Sequence, residues 1–563
     1  MDLRITSASF LWACLLLVAV FCACEKKGLA ARWWRQIFFG FFAIFAAALV
    51  VWRWRSLSYN GEINVDESQI LAQALRYQLD PIPWRSVDGA SGGPLYTWAL
   101  FWAPLLGLKF SYAVARITGL ACYFVTVLGL SLGVCQVVGR RLGLLLTMPV
   151  ATLSLTTINF DYVFFSSEQL PMALMAVTFY LLVAQASSPT VGRGYWIGLI
   201  TGALPFCKVQ AGPAGVVLWC IGAGICWTCR SEIGNVRRML AAQILGGLSM
   251  PALILGPVIA VGCWGDFVIH YLKGGLSYRN TMATSAWNPV EHLLNLVGSV
   301  SELKAYCFGL VTLAAAAFLW GRPRLVSIPQ KAWNALLASA LLTGVVGYCV
   351  VRSRYPFPHY TLLLVVPVMV LAIMPALFCE RSQLEKPVPV GLLFISVVGL
   401  AVFFPIRQVL SEYRTRLPLL GDWGDGVHPI GEVIKKLTKP GDTFLVWGYA
   451  PKFHVFSGVP PSYRCTTTLT MLMEPDMSES APSVATYLSD LGKTPPALII
   501  DAPDEFWFPD PAVPKGTTAR HFAHPPTRKL VSSGYELVGQ MNYAKSPPGM
   551  PDKVPIMIYK KKE

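Results

Sequence analysis

Runs of about 20 apolar residues recur along the first 400 positions of this chain, and nothing else in it constrains the fold as much. In lipid every backbone N–H and C=O must be satisfied internally, so apolar runs of this length are read as membrane-crossing helices. Candidate spans are 9–24, 36–52, 111–138, 142–159, 169–187, 194–208, 211–229, 239–264, 305–321, 332–351, 360–379 and 389–405, which makes about twelve crossings. Segment 94–108 is apolar but short and interrupted by Pro104, so it is expected to lie in the interface or to dip partway. Composition agrees: of 563 residues 54% are hydrophobic and only 14% charged, where soluble chains carry about 25%, and the mean hydropathy is +0.51. A soluble globular protein, a disordered chain, collagen and a disulfide-stapled mini-domain are thereby excluded. Of 14 cysteines only Cys465 lies beyond residue 405; the others sit in or beside apolar segments and act most simply as small hydrophobes, the Cys226–Cys229 pair included.

Loop charge sets the orientation. If the connector 25–35, with Lys26, Lys27, Arg32 and Arg35, is cytoplasmic, that side carries 15 Lys/Arg in 48 loop residues and the opposite side 10 in 101. Both long loops of the membrane part, and everything after residue 405, then lie outside the cytoplasm, as do all seven histidines. Segment 9–24 also fits a cleaved signal, Phe21-Cys22-Ala23-Cys24 being faintly like a lipoprotein cleavage site. Cleavage would reverse every later span against the charge count, so a retained first helix is expected. The net charge of +15 is topogenic and surface charge; no long basic stripe interleaved with aromatics points to nucleic acid.

Three parts follow: a first helix and basic connector (1–35), a membrane region (36–405) with an outer loop at 53–110, and a polar tail (406–563). In the tail, Phe444–Trp447, Ala497–Ile500, Tyr535–Val538 and Ile556–Tyr559 read as strands, and 430–438 and 482–492 as helices. The tail is thus a small α/β domain with no phosphate-cradling glycine loop. His521 and His524, three apart in a proline-rich loop, are expected to be exposed.

The candidate chemistry lies on the outer face. Segment 64–79 has Leu71, Leu75 and Leu79 every four residues with Gln69, Gln73 and Arg76 on other faces, which reads as an amphipathic helix lying on the outer leaflet. Asp66 and Glu67 stand at its start, where the helix dipole favours ionised carboxylates; they are either an ordinary acidic cap or available as a base or as metal ligands. Asp161 and Glu168 flank a turn at the same depth, Lys208 and Gln210 are wedged between two spans, and Arg352, Arg354, His359 and Tyr360 stand at the mouth of a late span. Arg352 reads as a snorkelling charge, whereas Lys208 is a functional candidate by its position. Together they supply carboxylates to activate a hydroxyl and cations to hold a phosphate.

The Val65-Asp-Glu67 step, the Gly93-Pro-Leu-Tyr-Thr-Trp98 stretch, Ala115-Arg116, the single Lys208 and Arg354-Tyr-Pro-Phe-Pro-His-Tyr360 resemble, in this order over roughly 36–405, the GT-C membrane glycosyltransferases. The nearer likeness is to the bacterial branch of protein mannosyltransferases and the aminoarabinose transferase acting on lipid A, and 440–451 resembles the extracytoplasmic tails of bacterial members. The resemblance implies a GT-C fold and transfer of a sugar from a polyprenyl-phosphate carrier to an envelope acceptor at the outer face of the cytoplasmic membrane. It makes Asp66 the catalytic carboxylate with Glu67 beside it. Lys208, Arg354 and His359 become ligands of the donor phosphate, and Asp161, Glu168, Gln210, Tyr360 and His270 supporting or acceptor-side residues. Some members use a divalent metal ion and others none, which leaves the cofactor open. Where the aminoarabinose branch has Asp-Glu-Thr-Arg this chain has Asp66-Glu-Ser-Gln69, and where it has Glu-Lys-Pro-Pro-Leu this chain has Ser91-Gly-Gly-Pro-Leu95, which shifts phosphate binding toward Lys208, Arg354 and Arg85. The rival reading is a transporter or flippase, against which stand the lack of an inverted repeat and the crowding of polar residues at one face.

Overall fold

The computed structural model describes residues 3–25, 29–89, 91–157, 159–228, 235–277, 288–323, 329–352, 357–388, 429–468, 482–502, 524–542 and 555–563. Its helical body comprises α1 (Leu3–Cys24), α2 (Trp34–Ser58), α3 (Val65–Leu79), α4 (Tyr112–Val138), α5 (Arg140–Thr156), α6 (Gln169–Ser187), α7 (Val191–Cys207), α8 (Gly212–Thr228), α9 (Val236–Ala260), α10 (Ser301–Trp320), α11 (Gln330–Arg352) and α12 (Leu362–Ile373). Short 3₁₀ turns flank α12, at Pro358–Thr361 and Met374–Phe378. Eleven of the twelve expected spans coincide with a helix; the twelfth, 389–405, lies outside the described residues. Among the described residues eight helices are long and apolar enough to cross a membrane by length and composition.

Local sequence starts and stops these helices. Ser111 accepts from the Val114 amide ahead of α4, and Thr190 accepts from the Arg193 amide ahead of α7, so a hydroxyl satisfies an amide that the helix leaves open. Between helices the contact is close where side chains are small: a Cβ at Gly198 of α7 would stand 2.0 Å from the Gln243 carbonyl of α9. The largest buried cluster is built from α1, α2, α4 to α8 and α10 to α12, with Phe41, Phe45, Tyr162 and Tyr306 among its fully buried rings.

Segment 94–108 forms two short helices, Pro94–Trp98 and Trp102–Leu105, and its turn presents Leu105 and Leu106 at 85% and 71% exposure. More consequential, α3 is not laid on the surface. From Glu67 to Tyr77 it is buried on nearly every face, its polar side chains included. Periodicity identified its leucine stripe, but Gln73 accepts from Tyr96 and Thr97, and Arg76 donates to the Pro461 carbonyl, so the polar faces are covered by protein as well.

The C-terminal α/β domain contains α13 (Pro429–Leu437), β1 (Phe444–Gly448), α14 (Lys452–Ser457), α15 (Pro482–Lys493), β2 (Leu498–Ala502), α16 (Pro525–Gly534), β3 (Tyr535–Met541) and β4 (Ile556–Lys561). The strands lie in the order β1-β2-β4-β3, with β1 and β2 parallel and both other pairs antiparallel. β1 and β2 are buried on both faces, as the apolar runs Phe444–Trp447 and Leu498–Ile500 require, and one apolar cluster lies on each side of them. His524 departs from the sequence expectation: it is buried, near the Trp447 ring at 5.3 Å, and its Nδ1 pairs with Thr527 Oγ1. His521 falls outside the described residues.

His454 on α14 is also fully buried, its ring 4.0 Å from that of Phe444 and its Nδ1 paired with the Val459 carbonyl. Burial pushes its pKa from 6.5 down to about 3, and the bond to Val459 opposes this only in part. The unfolded chain therefore takes up a proton below pH 6.5 that the folded domain refuses. Stability contributed by the neutral ring is complete above pH 6.5 and is lost as pH falls toward 3. Between pH 7 and pH 4.5 the loss is about 3 kcal/mol. Thermal denaturation of the detergent-solubilised chain at these two pH values should show His454→Asn losing less stability on acidification than wild type; an equal loss would assign the acid sensitivity elsewhere.

Candidate functional site

The first turn of α3 is built by its cap. Asn64 is extended, and its Oδ1 accepts from the Asp66 amide at 2.9 Å, which fixes Asp66 at the positive end of the helix dipole. Asp66 lies deep among other groups yet keeps 40% of its side-chain surface open. Glu67, one residue on, is fully buried: Arg116 of α4 holds both its oxygens, Nε to Oε1 at 3.0 Å and Nη2 to Oε2 at 2.7 Å. The expectation of a second available carboxylate beside Asp66 therefore fails on geometry. Arg116 also donates to the carbonyls of Ser56, Tyr59 and Gly61, tying the end of α2 to the start of α3.

Around Asp66 the chain gathers residues from three distant segments. His359, on the 3₁₀ turn before α12, has its Nε2 3.7 Å from Asp66 Oδ2 and 4.0 Å from Glu168 Oε1, and its Nδ1 3.4 Å from Asp161 Oδ1. Asn64 Nδ2 donates to the same Asp161 oxygen at 3.0 Å, so one asparagine caps α3 and holds Asp161 in place. Glu168, fully buried, accepts from Lys208 Nζ, which also donates to Ser167 Oγ at 2.9 Å and lies 4.5 Å from the Tyr360 ring centre. The expected set Asp66, Asp161, Glu168, Lys208, His359 and Tyr360 is thus one cluster. Lys208 stands in it as a partner of Glu168 rather than as an isolated cation.

Three carboxylates face one ammonium and one imidazole. Burial raises the Asp66 carboxyl above its usual range; Glu168 and Asp161 add to this, while His359 and Lys208 oppose it. A carboxylate so placed is a stronger base than an exposed aspartate. His359 lies between Asp66 and Asp161, one ring nitrogen toward each. Among the described residues no three His, Cys, Asp or Glu side chains are grouped so as to hold a metal ion.

Other expected residues lie apart. Arg85 makes a two-point pair with Asp80, Nε to Oδ2 at 2.8 Å and Nη2 to Oδ1 at 2.6 Å, and is half exposed; its described contacts do not reach the Asp66 cluster. His270 pairs with Asp88 at 3.0 Å and Asp266 at 3.7 Å, in a second group beside the C-terminal domain, and the bond to Asp88 raises its pKa. Gln210 follows Lys208 on a 3₁₀ turn, where its Oε1 is buried without a hydrogen-bond partner among the described residues. Arg354 lies outside the described residues. Asn64 was not singled out from the sequence, although an asparagine just before Val-Asp-Glu is a cap signature. The same holds for the Arg53 and Glu302 pair of contacts at the other end of the site: Arg53 donates to the carbonyls of Ser154 and Thr157, and Glu302 accepts from the Asn159 amide, so both hold the turn that carries Asp161.

No family model matches the sequence, and no curated protein does. Among solved structures the chain is similar to the aminoarabinose transferase ArnT from Cupriavidus metallidurans in the apo state, at 12% identity and a TM-score of 0.47, covering 92% of this chain and 98% of that one. It is similar to the oligosaccharyltransferase of Archaeoglobus fulgidus in the apo form, at 8% identity and a TM-score of 0.40 over 88% of this chain and 70% of that one. The same enzyme in complex with Zn and sulfate gives 10% identity and a TM-score of 0.38 over 82% and 68%. Both are GT-C glycosyltransferases, the kind the sequence motifs resemble. The likeness is one of overall arrangement at low identity, and the functional reading rests on the site's own residues.

The buried pair makes a prediction of its own. Glu67→Gln leaves the Arg116 charge uncompensated in the interior, at a cost of about 3–5 kcal/mol. The variant should give a clearly lower melting temperature in detergent than Asp66→Asn, which keeps the cap. Equal melting of the two would remove Glu67 from the structural role assigned to it here.

Proposed function

We propose that this chain is an integral membrane glycosyltransferase that moves a sugar from a polyprenyl-phosphate donor to an envelope acceptor, lipid, polysaccharide or protein, at the outer face of the cytoplasmic membrane. The observation that carries this reading is Asp66: a carboxylate at a capped helix start, raised in basicity by burial, still open, and opposed by the His359 ring. Attack of an acceptor hydroxyl on the anomeric carbon forms the C–O bond as the carbon–phosphate oxygen bond breaks. The hydroxyl proton must leave as its oxygen attacks, and Asp66 is placed to accept or orient it. Among the described residues Lys208 Nζ donates to Glu168 and Ser167, and its third N–H is the one a phosphate oxygen of the leaving group would take. Arg354, two residues beyond the end of α11, is the natural second phosphate ligand because guanidinium meets phosphate at two points. His359, between Asp66 and Asp161, stands 3.7 Å from the Asp66 carboxylate, where a positive ring favours its ionised form.

Asp66→Asn keeps size and cap while deleting the charge. Transfer should fall about 100- to 10,000-fold with normal expression, read by mass spectrometry of envelope glycans in cells carrying wild type or variant. The acid limb of the wild-type pH profile should lie above the ordinary aspartate range, because the raised carboxyl protonates there and loses its function as pH falls through it. An Asp66→Asn protein with wild-type glycans would sink the assignment and turn attention to Asp161 and Glu168.

Orientation is checked separately. The charge asymmetry of the loops, 15 Lys/Arg in 48 residues against 10 in 101, supports an extracytoplasmic C-terminal domain. A reporter fused after residue 430 should be active only outside the cytoplasm, and cytoplasmic activity would invert the topology together with the site.

A further inference from the structure

Arg464 is a buried arginine of the C-terminal domain with partners both inside and outside that domain. Within the domain it forks onto Asp490, Nε to Oδ2 at 2.8 Å and Nη2 to Oδ1 at 2.7 Å. Its Nη1 leaves the domain, donating to the Trp84 carbonyl at 2.9 Å and to Asp266 Oδ1 at 3.0 Å. Its own carbonyl accepts from the Asp88 amide at 3.0 Å. One residue thus grips the segment 84–88 from both ends.

That segment leads to Lys208 by two routes. Along the chain it continues into Ser91-Gly92-Gly93, which pairs with the stretch carrying Lys208: the Val209 amide donates to the Ser91 carbonyl at 3.0 Å, and the Gly93 amide to the Cys207 carbonyl at 3.0 Å. The approach at Gly93 admits no side chain, since a Cβ there would stand 2.0 Å from the Phe206 carbonyl oxygen. Across the interior, the buried Trp84 ring packs on Phe267 and Tyr271 at 4.7 and 5.3 Å, and the Tyr271 hydroxyl donates to the Pro205 carbonyl, three residues before Lys208. Trp84 has a φ of 61°, a conformation costly for a bulky residue that persists only where the surroundings fix it, and Arg464 holds its carbonyl.

We propose that Arg464 is a positioning residue for the site: by fixing Trp84 and Asp88 it holds the 84–93 segment against the Lys208 stretch, so that the C-terminal domain sets where the Lys208 ammonium stands. The role of the ammonium in transfer rests on the function proposed above; the mechanical coupling does not. Arg464→Lys retains a charge for Asp490 but cannot reproduce a planar fork that serves Asp490, Trp84 and Asp266 together.

The test is amide hydrogen exchange by mass spectrometry on the full chain in detergent, with glycan profiling in cells. In Arg464→Lys, exchange should accelerate at least about tenfold in peptides covering 84–93 and also in those covering 207–209, while α4, β1 and β2 keep their protection. Gly93→Ala, which leaves every Arg464 contact in place, should accelerate 207–209 by itself, and both variants should lower transfer about tenfold or more. Acceleration confined to 84–88 in Arg464→Lys would overturn the proposal. If Arg464→Lys does not fold, unchanged 207–209 exchange in Gly93→Ala would overturn it equally. Asp66→Asn run in parallel separates the two readings. Transfer lost in Asp66→Asn but full in Arg464→Lys counts against positioning; the expected exchange pattern with transfer unaffected in both variants counts against the transfer reading and upholds the coupling.

Discussion

A single guanidinium decides where the front of the site can be. Arg116 of α4 places its donors on both oxygens of Glu67 and on the carbonyls of Ser56, Tyr59 and Gly61. These groups come from three stretches, the end of α2, the turn after it and the first turn of α3, none of which has an apolar reason to meet at that point. A buried arginine with every donor engaged leaves little freedom, and losing one acceptor strands a charge in the interior. The direction in which Asp66 points follows from this fixed first turn, since Asp66 is the residue before Glu67.

Behind it, the cluster around His359 meets a different requirement. Asp161 and Glu168 come from one turn, Lys208 from the end of α7 and His359 from the turn before α12, so the ends of several helices converge where the helical body meets the loops. Each charge is balanced locally: Glu168 by Lys208, Asp161 by Asn64 and His359. Asp66 alone combines an open surface with a partner at the longer distance of 3.7 Å. That asymmetry sets Asp66 apart from the groups around it.

Much of this could be read in the residues. Apolar runs placed eleven helices, and short runs of β-branched and aromatic residues placed all four strands, because both patterns report burial within one element. The partners of polar side chains could not be read the same way. Leu71, Leu75 and Leu79 declare one face of α3, whereas the burial of its other faces depends on Tyr96, Arg116 and Pro461, distant in sequence. Asp66, Asp161, Glu168, Lys208 and His359 were legible as a group because each was a polar residue at a membrane-boundary position. Arg85 and His270 satisfy the same criterion but are drawn away by the nearer acids Asp80 and Asp88. Arg116 sat in plain view inside an apolar span, a placement that calls for a buried partner.

Helix α3 is held at both ends by different bodies. Its first turn is locked to α4 through Glu67, and near its last turn Arg76 donates to the Pro461 carbonyl and to Thr494 of the C-terminal domain. With 15 residues it is a rod of about 22 Å. If the first turn is the pivot, the arm from Glu67 to Arg76 is about 14 Å, so displacing the C-terminal domain by about 2 Å tilts the rod by roughly 8°, and it turns the Asp66 carboxylate while hardly moving it. A load on the C-terminal domain thus reaches the Asp66 end as torque rather than as translation, and alignment responds to it before distance does.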